Sequence, residues 1–371
     1  MDAILHQPPA TFYFSINGVD CTEIFNRYLI KLVITSTLDG ADTCEITLDD
    51  EYGQLQMPPN ASATIVCGIG WLDTGAVESF SGYVDEPLSK GSRNGGRLLI
   101  ISGISSSPSG GIKSTLGMHA DNSSFLDAAT KFGAAAGLTV SMPPGLGSVM
   151  RDYWSAHNED FKAWGHRTAR QFGAVMKIQG NQVVFQYQTS QQSASGEAMP
   201  DVQAVVGQNV INWALVPAYQ TAQYAKFTTS WYDTDKALWN YEPSTLGGTG
   251  DPSAALNHKF VAPTQAQAQN QSDSNQRSSD WEKSGGTITI IGEPSAQAMG
   301  VVTLTGARPG IDGQYTIVEA IHSFDRNSGY ITTLQVSQYN PVPPPSNSEG
   351  STSESDTGDG EKETGGESTG Q

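Results

Sequence analysis

Alternation of apolar and polar residues marks the first 100 residues of the chain as β-structure. In residues 44–49, Cys44, Ile46 and Leu48 alternate with polar neighbours, and Asp39 and Gly40 form a turn pair just before them. Further strands are predicted at residues 11–16, 29–38, 63–68, 80–84 and 97–102. This series of short strands predicts a small antiparallel β-barrel or sandwich.

Helical spacing replaces the alternation after residue 113. Two helices and then a hairpin are predicted, at residues 124–136, 159–172 and 174–187. Ser123 or Ser124 can cap the first helix, and Asn158 can cap the second. Together these elements predict a small α/β module.

The last third of the chain returns to β-structure after a polar loop that begins beyond Gln188. Residues 233–258 are too long for a simple turn and predict a functional or mobile loop. Residues 264–281 are rich in Gln and Ser and predict a polar helix on a surface. Strands are predicted at residues 225–231, 287–291, 300–304, 315–322 and 330–336.

The order of elements predicts a mainly β protein in which two tube-like antiparallel β-barrel domains flank a small α/β domain. The predicted boundaries are 1–112 for the first barrel, 113–190 for the α/β domain and 191–340 for the second barrel. Residues 341–371 follow a run of prolines and contain Ser, Gly, Thr and acidic residues, which predicts a disordered acidic tail.

The two β regions share an internal pattern of strand, strand, Asn and Gly turn, strand. In the first region the turn is at residues 94–96, and in the last region it is at residues 327–329. Chance similarity between two antiparallel meanders is one explanation. Duplication is the other, and a chain with two equivalent units can form a pseudo-sixfold ring as a trimer.

Composition and charge exclude several functional classes. The net charge of −18 lacks the clustered basic residues that nucleic-acid binding requires. No run approaches the roughly 18 apolar residues of a membrane span, and no secretion signal begins the chain, so we expect cytoplasmic folding. The three cysteines, Cys21, Cys44 and Cys67, lack metal or redox spacing, so we expect reduced, mostly buried thiols.

Few residue clusters could carry chemistry. His157 with Glu159 and Asp160 could form a metal or acid–base site, but acids at a helix start are better explained by the helix dipole. His322 and Asp325 precede a turn, which Asp commonly shapes.

His166 and Arg167 are interpreted as facing solvent or contacting the adjacent barrel. The triplet Asp73, Thr74, Gly75 matches aspartic proteases, but no second copy supplies the partner carboxylate.

Aromatic residues in the 231–241 segment suggest an interface or local packing rather than sugar binding; they are Trp231, Tyr232, Trp239 and Tyr241. The sequence contains no nucleophile elbow, phosphate loop or paired metal-binding cysteines. We therefore predict a protein that is not an enzyme, with no catalytic, cofactor-binding or metal-binding residues.

Three segments carry a resemblance to a known family. They are residues 31–50, residues 157–185 with Asn158, Glu159, Trp164, Arg167, Ala169 and Gly173, and residues 300–336 with Gly306, Gly313, Tyr315 and His322. In this order they resemble the late control D family of contractile-tail phages, baseplate hub proteins related to the hub half of type VI secretion spikes. Gly165 and Thr168 depart from the family's second helix, where leucines are common.

The resemblance implies a homotrimeric baseplate hub that joins a sixfold tail tube to a threefold central spike and leaves a channel for DNA, which passes without specific binding. Its implied partners are the spike, the tail tube or tube-initiator protein, the tape-measure end and other baseplate wedge proteins. It also implies a place in the tail baseplate of a virion, assembled in the host cytoplasm.

Two alternatives remain open. One is a hub or spike component of a bacterial contractile injection system, of type VI or tailocin kind, although the chain lacks needle-like repeats. The other is a tail-associated cell-wall hydrolase or carbohydrate-binding protein.

Overall fold

A computed structural model describes residues 8–339, apart from 59–61, 94–95, 109, 189, 192–197, 218–223, 247–250, 260 and 282–283. One sheet of 13 strands runs through both β regions of the chain, and three smaller sheets of two or three strands surround it. The predicted mainly β fold with helices in an α/β insert is confirmed. The predicted tail, 341–371, lies outside the described residues.

Seven strands and a short helix build the first β region. They are β1 (Ala10–Ile16), β2 (Val19–Asp20), α1 (Thr22–Tyr28), β3 (Leu29–Thr37), β4 (Thr43–Asp49), β5 (Thr64–Trp71), β6 (Gly75–Ser92) and β7 (Gly96–Ile104). Alternate residues of these strands enter one core, in which Phe14, Leu32, Ile46 and Ile65 are fully buried. β6 is much longer than the predicted strand at 80–84. Its second half was not predicted because that half is polar and exposed and lacks the alternation of apolar and polar residues.

The α/β region follows a 3-10 turn (Gly110–Lys113). Its elements are β8 (Leu116–Ser124), α2 (Phe125–Ala135), β9 (Thr139–Ser141), α3 (Pro144–Gly147), β10 (Met150–Glu159), α4 (Phe161–Arg170), β11 (Ala174–Gln179) and β12 (Gln182–Tyr187). Phe125, Phe132 and Trp164 lie at the centre of its aromatic core. Both helices pack their apolar faces on this core.

The caps of the two helices give one confirmed prediction and one correction. Ser124 caps α2, and its hydroxyl accepts the backbone N–H of Asp127. The prediction that Asn158 caps the second helix is wrong: Asp160 caps α4 by accepting the Ala163 N–H at 2.7 Å. Asn158 belongs to β10 and has a positive φ of 55°, so β10 continues to Glu159 before the helix begins.

The second β region contains more strands than the sequence predicted. It comprises β13 (Asp201–Val205), β14 (Val210–Val216), β15 (Tyr224–Asp233), β16 (Leu238–Pro243), β17 (Asp251–Asn257), α5 (Gln265–Trp281), β18 (Gly285–Ile291), β19 (Val301–Thr305), β20 (Gly313–Asp325) and β21 (Gly329–Gln338). β13 and β14 were not predicted between the polar loop and residue 225. The predicted loop at 233–258 is largely a three-stranded sheet, with β15 between β16 and β17.

Helix α5 is polar, as predicted, and exposes Gln265, Ala266 and Ser278, but it also buries one face that the sequence did not predict. Ala268, Ser272 and Gln276 are fully buried against β15 and β16. Hydrogen bonds replace apolar contacts here: the Ser272 hydroxyl lies 2.9 Å from the Thr229 hydroxyl and donates to the Glu242 carbonyl at 2.7 Å.

Among the described residues, no helix is long and apolar enough to cross a membrane.

We predict that Ser272→Val destabilises the protein, because it leaves the Glu242 carbonyl and the Thr229 hydroxyl without this partner in a buried site. The expected loss is about 1–3 kcal/mol in the free energy of unfolding, measured by urea denaturation. Ser278→Val, at an exposed position of the same helix, is the control and should change stability little. Equal stabilities for the two variants would contradict the buried polar contact.

Candidate assembly interface

The strand order of the first β region is repeated in the second. The first repeat runs β3-β4-β7-β6-β5-β1 across the sheet, and the second runs β14-β18-β21-β20-β19-β13. In both repeats these strands follow the same order along the chain. The shared topology favours duplication over chance similarity between two meanders.

The register of pairing is also repeated. In the β6–β7 and β20–β21 hairpins, corresponding pairs close the turn: Ser92 with Gly96 and Asp325 with Gly329. Further from the turn, Val84 pairs with Gly103 and Ile317 with Val336. The register also shifts at matching places, between Leu29 and Lys31 in β3 and between Val210 and Asn212 in β14. The two repeats can therefore be aligned residue by residue.

The repeats differ in the direction of one strand and in the elements inserted between strands. β1 is antiparallel to β5, whereas β13 is parallel to β19. The three-stranded sheet and α5 are inserted between β14 and β18, where the first repeat has a short hairpin turn between β3 and β4. The insertion explains why the sequence pattern revealed only the last three strands of each repeat.

The repeats join through a seam, which we define as the pairing of β20 with β3. Residues 319–325 of β20 extend beyond β19 and pair antiparallel with residues 31–37 of β3. Side chains of the second repeat enter the first core: Tyr330 is buried there, and the ring of Phe324 lies 6.0 Å from that of Phe12. The Trp71 indole N–H donates to the Gly292 carbonyl at 3.2 Å.

His322 lies buried at this seam, opposite Ile34 of β3. Its Nε2 lies 2.9 Å from the Ala296 carbonyl, which can only accept, so Nε2 carries the proton. Its Nδ1 then accepts from the Tyr330 hydroxyl at 2.8 Å. Burial lowers the pKa of His322 below its ordinary value of 6.5, and the imidazole is neutral in the folded protein.

The α/β region is tied to the first repeat by charge. His166 Nδ1 lies 2.8 Å from an Asp39 carboxylate oxygen, and Lys177 pairs with Asp42 at 3.0 Å. Burial by itself raises the pKa of Asp39, but the neighbouring His166 and Arg170 hold it below the usual value. His166 therefore contacts the first β region, one of the two places predicted for it.

Among the open edges of the large sheet in the part of the chain that the structure describes, two are formed by the strands equivalent to those of the seam. β14 pairs with β18 and otherwise only through a single bridge from Val210 to Val206, and residues 87–92 of β6 pair only with β7. Both edges expose apolar side chains: Leu88 is 52% exposed, Val216 53% and Trp213 39%. Open edges with exposed apolar residues are sites of association with another chain.

The acids beside His157, for which the sequence favours a role at the helix start over an acid–base site, have structural partners. Asp160 is occupied as the cap of α4, and Glu159 accepts hydrogen bonds from Arg167. His157 is exposed and contacts Asn158. Within the described ranges, no group of three His, Cys, Asp or Glu side chains is arranged to hold a metal ion.

The other candidates have structural surroundings. Asp325 accepts the backbone N–H groups of Asn327 and Ser328 and shapes the β20–β21 turn, as predicted. Asp73 and Thr74 lie in the β5–β6 turn, and Gly75 begins β6. Cys44 and Cys67 are buried free thiols, and Cys21 is half-buried.

The aromatic residues of the β15–β16 hairpin divide between packing and exposure. The Trp231 indole N–H donates to Glu242 at 3.0 Å. Tyr232, Trp239 and Tyr241 are exposed, and the first two rings pack edge to face. The sequence therefore identified a real aromatic cluster, whereas the open edges at Leu88 and Trp213 were missed because strand pairing decides which residues lie at an edge.

Comparison with solved structures finds the same fold in tail proteins. The 43 kDa tail protein of prophage MuSo2 from Shewanella oneidensis matches with a TM-score of 0.62 and 15% identity, over 88% of this chain and 97% of that chain. A tail protein from Neisseria meningitidis MC58 matches with a TM-score of 0.62 and 16% identity, over 88% and 97%.

An E. coli component of the type VI secretion system also matches, with a TM-score of 0.51 and 9% identity, over 88% of this chain and 77% of that chain; it exhibits structural similarity to the T4 bacteriophage tail proteins gp27 and gp5. No protein-family model and no curated protein sequence matches the chain. The chain therefore has the fold of phage tail proteins and type VI secretion components.

We predict that the seam makes stability depend on pH. Because the folded pKa of His322 lies below 6.5, the unfolded chain takes up a proton first, so stability falls as pH drops below 6.5. The loss approaches about 1.4 kcal/mol per pH unit until the folded pKa is reached. Urea unfolding of His322→Gln should lack this component, whereas the control His119→Gln, at an exposed position, should keep it. Equal pH slopes for His322→Gln and the unaltered protein would contradict the assignment.

Proposed function

We propose that this chain is the hub subunit of a contractile-tail baseplate and works as a homotrimeric ring. One observation carries the proposal: the seam joins the two repeats of one chain, and the equivalent edges on the outside of the same chain are open. In this proposal, residues 1–112 and 191–340 supply two tube-like units, and residues 113–190 form an insert between them. Its role is structural rather than catalytic, with no catalytic, cofactor or metal residue.

The alignment of the repeats gives the pairing between copies. Ile321 of β20 lies opposite Thr35 of β3 within the chain. The positions equivalent to these two are Leu88 in β6 and Val216 in β14. Leu88 therefore pairs with the partner subunit's Val216, and each apolar side chain covers the other.

A second pair, on the opposite face of the sheet, is complementary in size. Phe324 lies opposite Leu32 in the seam, and the equivalent residues are Gly91 in β6 and Trp213 in β14. The partner subunit's Trp213 thus lies over a glycine, which leaves room for the indole. At this position the proposed contact between copies has one large side chain, Trp213, beside a glycine. The internal seam has two smaller side chains, Phe324 and Leu32.

Repeating this step closes a ring in which three chains provide six similar units. A closed ring pairs each of these two edges with the next copy. Ring closure is favoured because it buries the apolar side chains that a single copy exposes there. Such a ring matches a sixfold tail tube on one side and a threefold central spike on the other. The net charge of −18 suits a channel that DNA crosses without specific binding.

The proposed partners are the central spike, the tail tube or tube-initiator protein, the tape-measure end and other baseplate wedge proteins. The proposed location is the tail baseplate of a virion, assembled in the host cytoplasm. Support comes from the fold shared with phage tail proteins and from the sequence resemblance to the late control D family.

A bacterial injection hub is the second candidate. A Francisella PdpA–VgrG complex contains a chain with this fold, with a TM-score of 0.56 and 13% identity, over 93% of this chain and 60% of that chain. The proposed ring is the same in both systems. The genes adjacent to the coding sequence distinguish the two candidates, because phage tails and secretion systems are encoded by different sets of genes.

We predict that oxidised Leu88→Cys/Val216→Cys protein forms covalent trimers, because directly paired residues across antiparallel strands bring their Cβ atoms within disulfide range. The readout is a non-reducing gel of the full chain at high concentration, in a Cys21→Ser background since Cys21 is partly exposed.

Ile24→Cys/Val216→Cys is the matched control, because Ile24 is equally exposed but lies on α1. It should remain uncrosslinked. A monomeric product from the Leu88 and Val216 pair, or an open ladder of higher species without a closed trimer, would disprove the ring.

A further inference from the structure

A cleft of about 850 Å³ lies between the α/β region and the inserted sheet with α5. Arg151, Trp154 and Arg167 line one wall, and Thr229, Gln267 and Gln271 line the other. Its size lies within the range of about 300–1,000 Å³ typical of ligand pockets. The ring proposed above does not use this cleft.

Arg151 holds a charge that the described residues do not neutralise. No Asp or Glu of the described chain lies within 4.0 Å of its guanidinium nitrogens. Its Nε is buried without a hydrogen-bond partner among the same residues. A largely buried cation without a counterion is costly in a folded protein.

The neighbouring cation, Arg167, increases this cost. Arg167 is already paired with Glu159, to which its Nε donates at 3.2 Å. Burial, and then the like charge of Arg167, lower the pKa of Arg151 to about 10. Arg151 remains protonated at neutral pH and still lacks an anion.

Aromatic rings determine the orientation of Arg151. Its guanidinium carbon lies 4.5 Å from the centre of the Trp154 ring and 5.0 Å from that of Phe172. Stacking on these rings occupies the face of the guanidinium and leaves its N–H groups at the edge, where a planar acid can accept from two of them.

We infer that this cleft binds a carboxylate, supplied by an acidic side chain of an extended polypeptide, with Arg151 as its counterion. One unpaired positive charge matches one carboxylate, whereas a phosphate dianion would exceed it. The net charge of −18 also repels polyanions. The amides of Gln171, Gln267 and Gln271 can serve the backbone of such a peptide.

Fluorescence anisotropy of the full chain with a rhodamine-labelled, end-blocked peptide Gln-Gln-Glu-Gln-Gln tests the inference. We expect binding that weakens at least tenfold in Arg151→Gln and for the all-Gln peptide. Lys113→Gln removes an exposed charge elsewhere and should leave binding unchanged. Equal binding by Arg151→Gln, or by the all-Gln peptide, would overturn the inference.

Gln271→Glu provides a second variant that does not alter Arg151. A carboxylate on the facing wall should raise the melting temperature and weaken peptide binding, because it supplies the missing counterion. Ser278→Glu, exposed on the same helix, should do neither. Unchanged melting and binding in Gln271→Glu would contradict the role of Arg151.

Competition by glutarate distinguishes the two sources of a carboxylate. Displacement of the peptide only at much higher glutarate concentrations supports a polypeptide ligand. Displacement at equal concentrations would overturn the polypeptide part and assign the cleft to a small free acid.

Discussion

A strand at the edge of a sheet leaves main-chain N–H and C=O groups unpaired, and this constraint governs the molecule. Within the described chain, β20 extends beyond the end of β19, and the main-chain groups of this extension pair with β3. Buried side chains around His322 then join the two repeats into one sheet. The equivalent strands, residues 87–92 of β6 and β14, lack such a partner in the described part of the chain, and the proposed contact between copies is built on the geometry of the internal seam.

The sequence predicted those elements whose pattern is local. Alternation located most strands of the large sheet, and capping residues located α2 through Ser124. It missed β14, whose side chains are almost all exposed, so that burial imposed no alternation. The buried face of α5 was not predicted because Ser272 and Gln276 are polar; the Ser272 hydroxyl is hydrogen-bonded there, and the Gln276 amide N–H donates to Asp280.

The interface could be predicted less well, because it depends on pairing between distant segments. Nothing local to Ile321 indicates that it meets Thr35, and the exposure of Trp213 follows only from its place in an edge strand. The clusters that sequence chemistry selected are explained by caps and turns, as at Asp160 and Asp325. The sequence did not indicate a role for Arg151, because its lack of a counterion depends on which residues the fold places around it.

Copies of this chain are proposed to pair with one another in the same way as β20 pairs with β3 inside each copy. Electron cryomicroscopy of the purified full-length protein, alone and with its spike, tests this pairing between copies. We expect a closed threefold ring in which residues 87–92 of β6 and β14 of the next copy form one continuous sheet, giving six similar units around a channel. A stable monomer under both conditions, or a ring in which β14 remains unpaired, would contradict it.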